Sequence, residues 1–264
     1  MKRTSRFALP ALLSLPVALI LMFASSRAAV AQNPPDLNGG TDHFTCYDVI
    51  EQNLHPPATI SLTDECGVTL TGVQAFTPLQ ICNPAAKTVG GVETPINEPD
   101  AHLTLYELTQ KLPANPRKVH VNNQFGPQTL RVAAPKLIAV PTVKNGIGTL
   151  RGVEGELSHF TCYEASGKRI LVSADILDQF LFASETILVH DPVYFCSPAI
   201  KTSETETSQI ARNEDFLVLY KVTPSVTPAN ISTVTALNQF ESNTFTIGPL
   251  HFLGVPSEVI SCGN

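Results

Sequence analysis

The chain has 264 residues, 17 Lys and Arg against 23 Asp and Glu, and a formal net charge of −6. That acidity disfavours nucleic acid and anionic membranes as partners, and no basic stretch with interleaved aromatics offsets it. The length is ample for a sizeable core, in one domain or two.

Residues 1–31 read as a signal peptide. Lys2, Arg3 and Arg6 form a basic leader, an apolar stretch runs from Phe7 to Phe23, and Ala29-Val30-Ala31 precedes Gln32 as a small-residue cleavage pattern. Cleavage is expected between Ala31 and Gln32. An uncleaved anchor is the alternative, but the stretch is short for a span and carries Pro10 and Pro16. No later stretch approaches the ~20 apolar residues that a span needs. Losing the leader removes four basic residues and no acidic one, which leaves a net charge of −10. The expected location is secreted or periplasmic. Residues 32–41, ending in Asn38-Gly39-Gly40-Thr41, read as a loose tail.

From residue 42 the chain repeats itself four times. HFTCY stands at 43–47, HLTLY at 102–106, HFTCY again at 159–163 and FLVLY at 216–220, which places Tyr47, Tyr106, Tyr163 and Tyr220 at one position. A second marker follows each: Asp64-Glu65-Cys66, Asn123-Gln124-Phe125, Asp178-Gln179-Phe180 and Asn238-Gln239-Phe240. A third closes each unit: PLQICNPAAK, PKLIAVPTVK, PVYFCSPAIK and the looser PLHFLGVPSEV. Three markers in one order, four times over, are a specific signal of a motif of ~57 residues.

These markers resemble those of a group of secreted bacterial repeat domains with HFxCY, then NQFG, then P-x-L-L-C-V-P. The resemblance covers roughly residues 42–260. No activity is established for that family, so the resemblance implies no catalytic residues. The family often keeps both cysteines in every motif, and here the second and fourth motifs lack them.

Each motif reads as β. In the first strand Phe44 and Cys46 share one face, as do Leu103 and Leu105, Phe160 and Cys162, and Leu217 and Leu219. The other face carries Tyr47 and its counterparts. Both faces are largely apolar, so the strand is expected to be central and packed on both sides. Further strands of the first motif are expected at 59–63, 68–75 and 79–82, each short, β-branched or aromatic, and bounded by Gly, Pro or Asn. Residues 168–182 have some helical spacing but read as strand by analogy with their counterparts. Polar residues 202–213 and the glycine-rich 144–156 read as connectors.

The expected architecture is all-β, with the four motifs paired into two sandwich-like or barrel-like domains. The first spans 42–146, with motifs at 42–88 and 100–145, and a linker follows at 147–156. The second spans 157–264, with motifs at 157–202 and 213–261. A single four-bladed ring is the alternative.

Cys46 and Cys82 hold two fixed positions of motif one, and Cys162 and Cys196 the same two in motif three. Leu105 with Ala139, and Leu219 with Gly254, replace both together. Joint presence and joint absence predict the bonds Cys46–Cys82 and Cys162–Cys196, at buried sites. Cys66 stands where the other motifs have Phe125, Phe180 and Phe240, and Cys262 lies beyond motif four. A Cys66–Cys262 bond is expected. The alternative is a free Cys66 and a Cys262 open to another chain.

The repeated polar residues read as structural. His43, His102 and His159 share a position that is Phe216 in motif four, which fits packing at a strand edge better than metal ligation. His55, His120, His190 and His251 are scattered. Asp and Asn interchange at 64, 123, 178 and 238, as no general acid or nucleophile would allow, so these residues are expected to bond their own turn backbones. Lys87, Lys144 and Lys201, with Val259 in the fourth copy, read as edge lysines that discourage strand association. The acidic NEPD at 97–100 is too short for a calcium loop. Asn230-Ile231-Ser232 is a formal glycosylation sequon. No catalytic or metal-binding residues and no cofactor are expected. The expected function is an exported non-catalytic module for binding, adhesion or envelope architecture, whose partner is an extracellular or envelope ligand. The alternative is a secreted hydrolase with a cleft between the two halves, using His43 and His159 or unpaired acids.

Overall fold

The computed structural model describes residues 40–50, 57–108, 116–224, 226–228 and 233–263. The leader, the Ala31–Gln32 cleavage site, most of the tail, His55 and the sequon at 230–232 lie outside the described residues. The first motif supplies β1 (His43–Val49), β2 (Ala58–Asp64) and β3 (Thr69–Val89), followed by the short β4 (Val92–Thr94). The second supplies β5 (His102–Leu108), β6 (Arg117–Asn123) and β7 (Gly126–Lys144). After helix α1 (Leu150–Glu156), the third supplies β8 (His159–Ser166), β9 (Val172–Asp178) and β10 (Glu185–Thr202). The short β11 (Thr207–Ser208) leads to the fourth, β12 (Phe216–Thr223), β13 (Thr233–Leu237) and β14 (Ser242–Cys262). Each motif is therefore a short strand, a second short strand and one long strand. The segment at 168–182 holds strand β9.

The long strands organise the fold. Each pairs antiparallel with the first strand of its own motif and with the first strand of the next. The circuit β1–β3–β5–β7–β8–β10–β12–β14 closes when β14 pairs with β1. The expected separate strands at 68–75 and 79–82 are one strand, β3, continuous through Pro78. Proline cannot donate to a ladder and is tolerated at bulges. Pro78, Pro135 and Pro192 each sit at a register shift, and Pro249 lies beside one. The proline that reads as a strand break in the sequence is the bend that lets a long strand change partners.

The second strands form an outer layer. Each makes a hairpin with the start of its own long strand. Each also pairs with the end of the long strand two motifs away: β9 with β3, β2 with β10, β13 with β7 and β6 with β14. Six ladders therefore cross between residues 42–146 and 157–264. The described residues belong to one compact unit, in which the two halves expected from the sequence share one sheet network. Within the expected linker, 150–156 is helical, and the Thr149 side chain accepts from the Gly152 N–H as N-cap.

Residues from all eight strands of the circuit meet on its inner face, among them Phe44, Cys46, Leu103, Leu105, Leu137, Phe160, Cys162, Leu217 and Phe252. Two disulfides lie in this interior, Cys46–Cys82 and Cys162–Cys196, each joining neighbouring strands with a Cα–Cα distance of 4.0 Å. Cys46 and Cys82 stand directly opposite in the β1–β3 ladder. Leu105 with Ala139, and Leu219 with Gly254, stand opposite in the same way and are buried. A Cβ at Gly254 would lie 3.2 Å from both the Leu219 side chain and the Phe44 Cβ. Glycine there makes room for the leucine that replaces a cystine. The third bond, Cys66–Cys262, joins the β2–β3 turn to the last strand across a separation of 196 residues.

Candidate functional site

The repeated polar residues converge on the outer face of the circuit, beneath the second strands. The Tyr47 hydroxyl donates to Asp178 at 2.8 Å, and the Tyr163 hydroxyl donates to Asp64. Asn238 donates to the Tyr106 hydroxyl at 2.7 Å, and Asn123 to that of Tyr220 at 2.9 Å. Every bond joins a motif to the one two places along. The Oδ1 of each Asp or Asn accepts a backbone N–H just beyond it: Val68, Phe125, Phe180 and Phe240. The local turn bond is legible in the sequence, whereas the long-range tyrosine bond is not. It also explains why Asp and Asn interchange, since a tyrosine hydroxyl can donate to a carboxylate or accept from an amide.

The aromatic residue of the second marker completes each socket. Phe180, Phe240 and Phe125 lie edge-on to Tyr47, Tyr106 and Tyr220, with ring centroids 5.1 to 5.2 Å apart. Motif one has Cys66 instead, and there the Arg117 guanidinium lies 4.9 Å from the Tyr163 ring centroid. Burial, then the neighbouring Asp178 charge, pushes the Tyr47 hydroxyl far above its ordinary pKa. Burial raises Tyr220 to about 12, with the Asn123 and Gln128 hydrogen bonds opposing it. Burial also raises Asp64 and Asp178, and outweighs the hydrogen bonds that favour their charged forms.

The lysines are not edge residues. Lys87, Lys144 and Lys201 are 1%, 3% and 1% exposed, which corrects the edge-lysine expectation. The outer strands cover the ends of the long strands, so the sheet edge those lysines would have guarded is already paired. Each ammonium lies over the phenylalanine of the next motif: Lys87 over Phe125 at 5.3 Å, Lys144 over Phe180 at 4.6 Å and Lys201 over Phe240 at 5.3 Å. Burial lowers Lys87 to about 7, and lowers Lys144 to about 8 against the pull of Asp178 and Asp100.

Each lysine lies beside the histidine of its own motif. Burial and then Lys87 hold His43 well below its usual value. Burial with Lys144 lowers His102 to about 3, and burial with Lys201 does the same to His159. These rings are buried and neutral, and their other polar neighbours are amides, Gln124 for His43 and Gln239 for His159. His43 and His159 sit in separate copies of this arrangement.

Other expected features fall elsewhere. In the NEPD segment, Asn97 N–H, Asn97 Nδ2 and Glu98 N–H donate to the Asp42 carboxylate at 2.8 to 3.1 Å, which folds the connector onto the start of β1. Close by, Thr41, Asp42, Phe44, Glu98, Leu157 and Arg212 line a cavity of about 10 Å³, room for roughly one water. His120 bonds Thr129, and His190 bonds Thr223. His251 Nδ1 lies 2.9 Å from Asp48 Oδ1, and Gln80 donates to the same oxygen at 3.0 Å. Among the described residues no group of three or more His, Cys, Asp or Glu is placed to hold a metal ion, and no helix is long and apolar enough to cross a membrane.

Fold and site together define an all-β repeat protein whose motifs interlock through paired sockets and three disulfides. A family described as a repeat of unknown function (DUF7450) matches residues 109–256, more than half of the chain, and the chain belongs to that family. Neither the curated proteins nor the solved structures gave a match.

Proposed function

We propose that the mature chain is an exported, non-catalytic module that binds an extracellular or envelope ligand or builds envelope architecture. The observation that carries this reading is how the repeated polar residues are used. In all four copies the Asp or Asn holds a tyrosine two motifs away, so the residues the repeat preserves serve to brace it. Three disulfides suit an oxidising compartment, and the leader supplies the route to one.

The competing reading, a secreted hydrolase, is favoured by the Asp48–His251 contact, in which both side chains are partly exposed. One experiment addresses both readings. The mature protein is offered envelope glycans and chromogenic ester, glycoside and peptide substrates. Saturable binding without product release is expected. Turnover that disappears in Asp48→Asn or His251→Ala would favour the hydrolase and overturn the proposal.

A further inference from the structure

Three lysines occupy equivalent buried positions, and one of them differs from the others. Lys144 Nζ donates to Asn83 Oδ1 at 2.7 Å, from β7 across β5 to β3. Asn83 is fully buried, and its Nδ2 has no hydrogen-bond partner. A buried amide nitrogen left unpaired is destabilising, so its presence calls for a reason. Asp178 lies nearby, within reach of Lys144 by its charge but not in hydrogen-bond contact with Lys144 or the Asn83 side chain. Its carboxylate accepts from Thr45 Oγ1, whose residue faces Asn83 in the β1–β3 ladder, and its charge acts on Lys144.

The repeat provides internal controls. The position of Asn83 is Val140, Ser197 and Val255 in the other motifs. The positions equivalent to Asn83 and Asp178 around Lys87 are Val255 and Asn123, and around Lys201 they are Val140 and Asn238. Lys144 alone combines an amine, a carboxamide and a carboxyl group. Phe180 lies under its ammonium, and the site is closed to bulk water.

We propose that Lys144 and Asn83 join through an intramolecular isopeptide bond, with the Asp178 carboxyl carrying the proton that the exchange requires. Neutral Nζ attacks Asn83 Cγ, and the Cγ–Nζ bond forms as the Cγ–Nδ2 bond breaks. The Nζ proton passes by way of Asp178 to Nδ2, which leaves as ammonia. Amine plus carboxamide gives secondary amide plus ammonia, so no oxidant, reductant or cofactor is consumed. Burial favours both reactants: it lowers Lys144 to about 8 and raises Asp178 towards its protonated form. The unpaired Nδ2 is the leaving group. The bond would clasp β3 to β7 in the half of the chain where motif two has Leu105 and Ala139 instead of a cystine.

The test is mass spectrometry of the full mature chain after reduction and denaturation. The proposal predicts a mass short by one ammonia, a branched peptide joining residues 83 and 144, and no tryptic cleavage after Lys144. The branched peptide is the deciding signal, because cyclisation of an N-terminal Gln32 loses the same mass. Asn83→Val and Lys144→Met, checked for folding by circular dichroism, should abolish the branch. Asp178→Asn, which places at 178 the residue found at 123 and 238, should slow its formation about a hundredfold or more. Asp178→Glu should restore it, with a rate that follows the protonation of the carboxyl. Recovery of unbranched Asn83 and Lys144 peptides as the sole species from folded protein overturns the bond. A wild-type rate in folded Asp178→Asn overturns the role of Asp178.

Discussion

Asn123 donates to the Tyr220 hydroxyl at 2.9 Å although 97 residues separate them. The same amide donates to Ser257 Oγ at 2.9 Å, and its oxygen accepts the Phe125 N–H at 3.0 Å. One side chain therefore closes a turn of motif two and anchors a strand of motif four. Asn123→Ala would leave these buried groups short of partners, at about 1–3 kcal/mol for each group left fully unpaired. A loss of roughly 2–4 kcal/mol is expected from urea unfolding. Tyr220→Phe keeps the ring against Phe125 and should cost only about 1 kcal/mol. Equal losses in the two variants would contradict the socket.

Lys87 sets a pH dependence. Its Nζ is buried with no hydrogen-bond partner, and its pKa falls from the usual 10.5 to about 7. A folded pKa below the unfolded one gives stability that is present above the unfolded value and lost as pH falls through the folded value. Lys87→Met, which keeps the aliphatic stem, should flatten stability between about pH 10 and about pH 7. At neutral pH the variant should be the more stable by about 1–3 kcal/mol, because an unpaired buried amine is gone. Denaturant midpoints across that range check both statements.

The histidines act in acid. His159 has a folded pKa of about 3, against an ordinary 6.5. The stability it contributes is therefore present above pH 6.5 and lost as pH falls towards 3. Asp64 and Asp178 are raised, so their contribution has the opposite sign, present in acid and lost as pH rises through their folded values. Phe216 fills the equivalent position in motif four, so His159→Phe should fold. It should lose less stability than wild type between about pH 6.5 and about pH 4, by roughly 1–3 kcal/mol. Parallel acid titrations of the two proteins monitored by circular dichroism provide the comparison.

Leu105 and Ala139 face each other in the ladder as Cys46 and Cys82 do. The double variant Leu105→Cys, Ala139→Cys should therefore form a further interior disulfide when refolded in oxidising buffer. Closing a loop of that size is worth ~2–4 kcal/mol in the chain-entropy model. Thiol counting and the thermal midpoint, with and without reductant, measure it. Two free thiols in the folded protein would contradict the register.

The repeat, the strand faces and the positions of the cysteines are legible in the sequence because each depends on spacing within one motif. Tyr47 and Phe44 reveal their opposite faces by alternation alone. What joins Tyr47 to Asp178 is different: the sequence shows that both recur, but not that each socket is filled from two motifs away. The lysines mislead for a related reason. A Lys ending a strand ordinarily guards an edge, and only the pairing of β3 with β9, β7 with β13 and β10 with β2 buries these. A signal was present, since Asn83, Ala85 and Lys87 alternate in one phase with the Tyr face. Pro78 reads as a break because proline cannot donate to a strand ladder, whereas here it marks a bulge.

The interlock of motifs two apart is tested most directly by producing residues 42–146 alone and measuring mass and unfolding by ultracentrifugation and circular dichroism. In this half β2, β3, β6 and β7 lack the partners that the other half supplies. No cooperatively folded monomer is expected: the half is either unfolded or a dimer that supplies the missing strands to itself. A monomer of residues 42–146 with a cooperative unfolding transition would contradict it.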